Sequence, residues 1–181
     1  GGPKLFPTLV ASLEMALEPA KLSDFRMGPS LGSGTTARVY EAVHVASGRP
    51  VAIKMLAGEQ SGGREARERV AREALLLAGV QSRHVCTILG FGFDRGRPFL
   101  VLERLEGETL DAKLRRDGAP PMPVACRWVE QLLVGLRDCH AAKIIHRDVK
   151  PSNMFLHREG GEEIVKIIDL GVGRIRVEAE S

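Results

Sequence analysis

The stretch His146-Arg147-Asp148-Val149-Lys150-Pro151-Ser152-Asn153 decides how the rest of the sequence is read. With residue types at about 5% each, five specified positions at fixed spacing arise by chance on the order of 10⁻⁴ times in a chain this long. The residues carry distinct chemistry. Asp148 supplies a carboxylate able to orient a hydroxyl and accept its proton. Lys150 lies two residues on, and in an extended loop alternate side chains point the same way, so its ammonium falls beside Asp148. Asn153 adds a neutral oxygen, a suitable hard ligand for Mg²⁺.

The octet resembles the catalytic loop of the eukaryotic-type (Hanks-type) protein kinases. Lys150 at the second position after Asp148 resembles the serine/threonine branch, including its bacterial-like members, and not the Ala-rich pattern of the tyrosine kinases. The resemblance implies an α+β, two-lobed fold with an antiparallel-sheet N-lobe and a helical C-lobe. It also implies transfer of the γ-phosphoryl of Mg-ATP to a protein hydroxyl. In those terms Asp148 is the base, Lys150 the cation on the moving phosphate and Asn153 a metal ligand. His146 holds the loop by packing and hydrogen bonding.

At 181 residues, 44% hydrophobic and 27% charged, the chain can bury a substantial core as one large domain or two small lobes. The net charge is +3 and both signs are interleaved, so no basic stripe argues for nucleic acid. Cys86, Cys126 and Cys139 lack metal-site or C-x-x-C spacing, which fits thiols in a reducing cytoplasm. No apolar run approaches the roughly 20 residues of a membrane span, and no basic-then-apolar signal opens the chain.

Pro3, Pro7 and Pro19 bracket a segment in which Leu9, Leu13 and Leu17 recur at helical spacing. Residues 1–22 therefore read as an N-terminal extension, either a docked helix or a linker. From Met27 to Ala42 the pattern is strand, glycine turn, strand. Gly32 and Gly34 let the backbone approach a ligand closely, so their N–H groups can face phosphate oxygens. By itself G-x-G fits a plain hairpin better; in this context it resembles the phosphate-covering loop of kinases. That resemblance implies nucleotide contacts from Leu31, Gly32, Ser33, Gly34, Thr35, Thr36, Ala37, Arg38 and Val39. Leu31 and Val39 would sandwich adenine, and Ala37 stands where a third glycine usually sits.

Val51-Ala52-Ile53-Lys54-Met55-Leu56 reads as a strand whose apolar run Lys54 interrupts. It resembles the V-A-I-K strand, making Lys54 the α/β-phosphate lysine and Ala52 a wall of the adenine pocket. Gly63 to Gly79 reads as a helix in which Val70, Glu73 and Leu77 share a stripe. A carboxylate facing a core wants a cationic partner, and Lys54 is the candidate for Glu73. Val85 to Gly92 and Arg97 to Leu102 read as strands around Asp94-Arg95-Gly96. The following Glu103 to Glu108 resembles the hinge, with Leu102 as gatekeeper and the backbone of Glu103 and Leu105 offered to adenine. Thr109 can cap a helix to Arg116, and Pro123 can open one to about His140 with Trp128, Leu132 and Leu136 on its buried face.

Beyond the octet, Met154 to Leu156 and Val165 to Ile168 read as a hairpin with its loop from Arg158 to Glu163. Phe155 and Ile168 would line the adenine site. Asp169-Leu170-Gly171 resembles the D-F-G element with Leu for Phe, which makes Asp169 the principal Mg²⁺ ligand. The resemblance implies an extension over 1–22, an N-lobe over 23–102, a hinge over 103–108 and a partial C-lobe over 109–181. The A-P-E element and the later helices of the substrate platform do not occur before Ser181. The expectation is a kinase truncated within its activation segment, with Trp128, Leu132 and Leu136 uncovered, weak Mg-ATP binding, a tendency to aggregate and no activity on proteins. Two other classes share parts of the pattern. A nucleotide-binding pseudokinase or scaffold draws on Ala37 and Leu170, and a metabolite kinase shares the lysine and both magnesium ligands.

Overall fold

The structure, a computed structural model, describes residues 18–33, 37–56, 74 and 78–169. These fall into two compact units. One takes the residues up to Gly79 together with Thr87–Arg104, the other Val80–Cys86 together with Leu105 onward.

The first unit is a six-stranded sheet. Its strands are β1 (Glu18–Ala20), β2 (Phe25–Ser33), β3 (Ala37–His44), β4 (Pro50–Leu56), β5 (Ile88–Asp94) and β6 (Arg97–Glu103), in the order β1-β5-β6-β4-β3-β2. All neighbours run antiparallel except β1, which lies parallel to β5. β4 is central and nearly all buried, as its almost unbroken apolar run requires. The turn between β5 and β6 places Arg95 and Gly96 at φ 47° and 81°, the left-handed pair that suits strand twist in a two-residue hairpin. Ala42, Val51, Ile53, Phe99 and Val101 form the core on one face, with Leu22, Phe25, Met55 and Leu89 packed against it. Strand alternation sends Ala52, Lys54 and Leu56 to the other face, in register with Glu41, Val39 and Ala37 on one side. On the other side of β4, Leu102 and Leu100 stand opposite Ala52 and Lys54.

Two features of this unit depart from expectation. Residues 18–20 belong to the sheet, although they fall within the span read as an extension; the Leu9, Leu13 and Leu17 segment lies outside the described residues. An edge position tolerates Pro19, which has no N–H to give a ladder. Gly92 is what admits β1, because a Cβ there would stand 2.1 Å from the Ala20 carbonyl oxygen and 2.6 Å from Phe99 Cζ. The strand read from Val85 begins only at Ile88, while Val85 itself forms a parallel bridge with Ile167 of the second unit. Residues 80–86, inside the span read as N-lobe, thus join the second unit.

That unit holds β7 (Gly107–Thr109), β8 (Met154–Glu159) and β9 (Glu162–Ile167) as one antiparallel sheet in chain order, with helices α1 (Leu110–Asp117) and α2 (Met122–Ala141). The β8–β9 turn is only Gly160-Gly161, at φ 58° and 86°. Two adjacent glycines make that tight turn possible, so pairing continues to Glu159 and Glu162 and the loop is shorter than the expected Arg158 to Glu163. Thr109 caps α1, its Oγ1 accepting the Ala112 N–H at 3.2 Å. Trp128 packs with Met154, Leu156 and Val165, and Leu132 packs against them half-buried. Leu136 is also only half-buried, and the buried positions of α2 are Trp128, Gly135 and Cys139. Gly135 allows close approach, since a Cβ there would meet the His84 carbonyl oxygen at 2.9 Å.

Edge strands expose unpaired backbone groups, and β9 has its edge covered. Ile167 N donates to His84 O (2.9 Å) and Cys86 N to Ile167 O (2.8 Å), while the Val165 N–H is met by Gln131 Oε1 of α2 at 2.7 Å. The uncovered apolar face of α2 is therefore not the one expected: Trp128 is buried, and Met122 (74% exposed), Val129 (51%) and Leu133 (58%) face solvent. Among the described residues no helix is long and apolar enough to cross a membrane.

Candidate active site

Lys54 is 7% exposed in the middle of β4. Register places Val39 and Leu100 directly opposite it, and Ala52 and Leu102 one row along, on the same face. Four residues of the expected nucleotide site, Val39, Ala52, Lys54 and Leu102, thus share one surface of one sheet. Gly32 pairs with Val39 and Ser33 with Arg38 where β2 and β3 close toward the glycine turn. Arg38 alternates to the face opposite Val39, so what it brings to that turn is backbone. Leu31 is 45% exposed. Gly34, Thr35, Thr36, Glu73, Leu170 and Gly171 lie outside the described residues, and the expected Lys54–Glu73 pair with them.

At the end of β6, Glu103 N donates to Thr87 O at 3.0 Å and its carboxylate Oε1 accepts the Thr87 N–H at 2.8 Å. Leu105 is buried. A salt bridge that the sequence did not disclose joins Arg104 to Glu41, with Nε and Nη2 at 3.1 and 3.0 Å from Oε1. Lys166 was missed as well. It is 6% exposed in β9, opposite Phe155, and it interrupts an apolar run just as Lys54 does, which was the available signal.

The second unit shapes the octet through short-range bonds. His146 is 3% exposed, and its Nδ1 accepts the Asp148 N–H at 3.2 Å. Burial pushes the imidazole pKa below its ordinary value, outweighing the Asp169 and Asp148 charges, so the neutral ring that can accept is the favoured form. Arg147 sits at φ 59°, a left-handed conformation costing a non-glycine residue about 1–2 kcal/mol. It lies between buried His146 and half-exposed Asp148. The Asp148 carboxylate Oδ2 then receives two donors, Lys150 Nζ at 2.8 Å and Asn153 Nδ2 at 3.0 Å. Asn153 Nδ2 also donates to the Asp148 carbonyl at 2.8 Å. With its amide nitrogen so engaged, buried Asn153 presents its oxygen as the group for a cation.

Asp169 is half-buried two residues past β9, and Ile168 N donates to Asn153 O at 3.1 Å. That bond brings the end of β9 to the turn carrying Asn153 and so gathers both expected metal ligands in one unit. Among the described residues no three His, Cys, Asp or Glu cluster as a metal site. One carboxylate and one amide oxygen fit Mg²⁺, which keeps several waters and shares its coordination with phosphate. The cysteines are thiols, and burial pushes Cys139 up to about 11, away from nucleophilic chemistry.

A family model described as the protein kinase domain matches residues 25–181. The chain belongs to the protein kinase family. Among curated relatives, the chain is 38% identical over 151 residues to serine/threonine-protein kinase pkn2 of Myxococcus xanthus, covering 83% of the chain and 18% of that protein. It is 34% identical over 159 residues to serine/threonine-protein kinase PknL of Mycobacterium tuberculosis, covering 87% and 39%. It is 34% identical over 151 residues to CBL-interacting protein kinase 30 of rice, covering 83% and 31%. The chain therefore spans well under half the length of these kinases. The antiparallel strands β2 to β6 correspond to the sheet of the kinase N-lobe, and the second unit to part of the C-lobe.

Proposed function

We propose that this chain carries the catalytic centre of a serine/threonine protein kinase that transfers the γ-phosphoryl of Mg-ATP to a protein hydroxyl in the cytoplasm. The observation that carries the reading is the Asp148 carboxylate, half-exposed and fixed by Lys150 and Asn153. Both donors meet Oδ2, which orients the carboxylate so that it can align an incoming hydroxyl and accept its proton. Lys150 keeps a positive charge beside that carboxylate, where it also opposes charge building on the transferring oxygens. Asn153 and Asp169 would hold Mg²⁺, which supplies charge neutralisation at the phosphates.

In the first unit, Lys54 would pair with the α- and β-phosphates, and Val39, Ala52 and Leu102 would meet adenine on the same sheet face. The Glu103 N–H is committed to Thr87, so the group Glu103 offers a base is its carbonyl. Glu73 is proposed as the carboxylate partner of Lys54, Phe155 and Ile168 as further contacts to the base, and residues 103–108 as the hinge. The test is Asp148→Asn in the protein that carries this chain. Mg-ATP affinity should stay nearly unchanged while turnover on a protein substrate falls about 10²-fold or more. Undiminished turnover in that variant would remove Asp148 from the mechanism. Nucleotide binding without any phosphate transfer by the unmodified protein would favour a pseudokinase.

A further inference from the structure

The Arg104–Glu41 ion pair stands at a particular place on the sheet. Glu41, Ala52 and Leu102 form one row across β3, β4 and β6. Arg104 lies just past the end of β6, and its bonds to Glu41 Oε1 turn its side chain toward the face that Glu41 shares with Ala52 and Leu102. Glu41 and Leu102 are two strands apart, about 10 Å, a span that a long side chain returning along the row can cross and a short one cannot. Both Nε and Nη2 reach the same carboxylate oxygen. Small, buried Ala52 lies between Glu41 and Leu102 in that row. Meanwhile Glu103 is held on its other side by Thr87 through a backbone and a side-chain bond. Two consecutive residues after the Leu102 position are therefore each tied down, one by Thr87 and one by Glu41.

We propose that the Glu41–Arg104 ion pair is a positioning element for the nucleotide base, setting the backbone of Glu103 and Arg104 against the sheet face that carries Ala52 and Leu102. The inference rests on the kinase reading of that face. The pair acts on the base and not on the phosphates, because it shares its row with Ala52 and Leu102, two of the three adenine contacts proposed on that face, whereas Lys54 lies in the next row, beside the third, Val39. The side chains are 26% and 39% exposed, so solvent and salt moderate the effect.

Calorimetric titration with two probes tests this, adenosine, which has no phosphate, and Mg-ATP. Arg104→Ala and Glu41→Ala should each weaken both ligands by the same factor, about two- to fivefold for a partly exposed pair. Arg104→Gln, which keeps length and hydrogen bonding, should fall between Arg104→Ala and the unmodified chain. The reversed pair, Glu41→Arg with Arg104→Glu, should recover most of the affinity, which an effect of either residue acting alone would not give. Lys54→Met should weaken Mg-ATP much more than adenosine. Adenosine affinity unmoved by Arg104→Ala, a loss confined to Mg-ATP, or no recovery in the reversed pair would each overturn the proposal. If Lys54→Met weakens neither ligand while Arg104→Ala weakens both, the phosphate role of Lys54 fails and the positioning role stands. An unmodified chain with no affinity for either ligand overturns the reading of the face, and the inference with it.

Discussion

Replacing Gly135 by alanine sets two effects of similar size against each other, and the geometry decides the sign. In an exposed helix the change would stabilise by about 1 kcal/mol, since glycine is the poorer helix former. At position 135 of α2 the new methyl would lie 2.9 Å from the His84 carbonyl oxygen and 3.1 Å from both His84 Cβ and Ile167 Cδ1. The isoleucine methyl can move; the carbonyl cannot easily retreat. It accepts Ile167 N at 2.9 Å, the His84 ring meets Val165 O at 3.0 Å, and Cys86 N holds Ile167 O at 2.8 Å. Overpacking a site of this kind costs about 1–3 kcal/mol. Subtracting the helical gain leaves a net loss of about 1 kcal/mol. Trp128 is the chain's one tryptophan and is buried in the same helix, so its fluorescence during urea unfolding reports this unit directly. The expected result is a lower midpoint with an unchanged slope. A midpoint that rises would mean that α2 can move off the 84–86 segment freely, and that Gly135 has no packing role.

Gly92→Ala should be worse, because the clashing atoms include a backbone oxygen at 2.1 Å. Displacing β1 should cost about 2–3 kcal/mol, visible as a lower melting temperature together with faster tryptic cleavage at Lys21. The pH dependence of stability should carry the mark of His146. Its folded pKa lies below its ordinary value of 6.5, so the unfolded chain takes up a proton that the folded chain resists. That contribution is fully present above the unfolded pKa and is lost as pH falls below it toward the folded value, with a slope of at most about 1.4 kcal/mol per pH unit. His146→Gln should flatten that part of the profile between melts at about pH 7.5 and about pH 5.5. An unchanged profile would place the responsible proton elsewhere.

What could be read from the sequence was largely what is local in the chain. The bonds that shape the octet join His146, Asp148, Lys150 and Asn153, each bond linking residues no more than five apart, so their spacing carried their geometry. β2 to β4 and both helices followed from period and punctuation. Errors arose where distant pairing decides the structure. Val85 has the composition of a strand, and it pairs with Ile167 and not with β6. Leu132 and Leu136 fit a buried helical face, yet they are only half-buried, and Gly135, where a Cβ would meet the His84 carbonyl oxygen at 2.9 Å, is buried. The Arg104–Glu41 bond links residues 63 apart, and no local pattern distinguishes that arginine from a solvated one. β1 was hidden by Pro19, which argues against a strand everywhere except at an edge.

The placement of residues 80–86 bears on how the protein is made. The chain leaves its first unit after Gly79, returns at Thr87 and leaves again after Arg104. On the ribosome, the partners of β2 through β6 have all been synthesised by Glu103. The His84–Cys86 segment must instead await Ile167, about 80 residues later, which at roughly 5–20 residues per second is on the order of 4–16 s. During that interval its backbone groups and Val85 lack their final partners on a nascent chain that has already built most of a sheet. Synthesis speed across α2 and the β8–β9 hairpin therefore sets how long a nascent-chain chaperone, or an unwanted strand, has access to that segment.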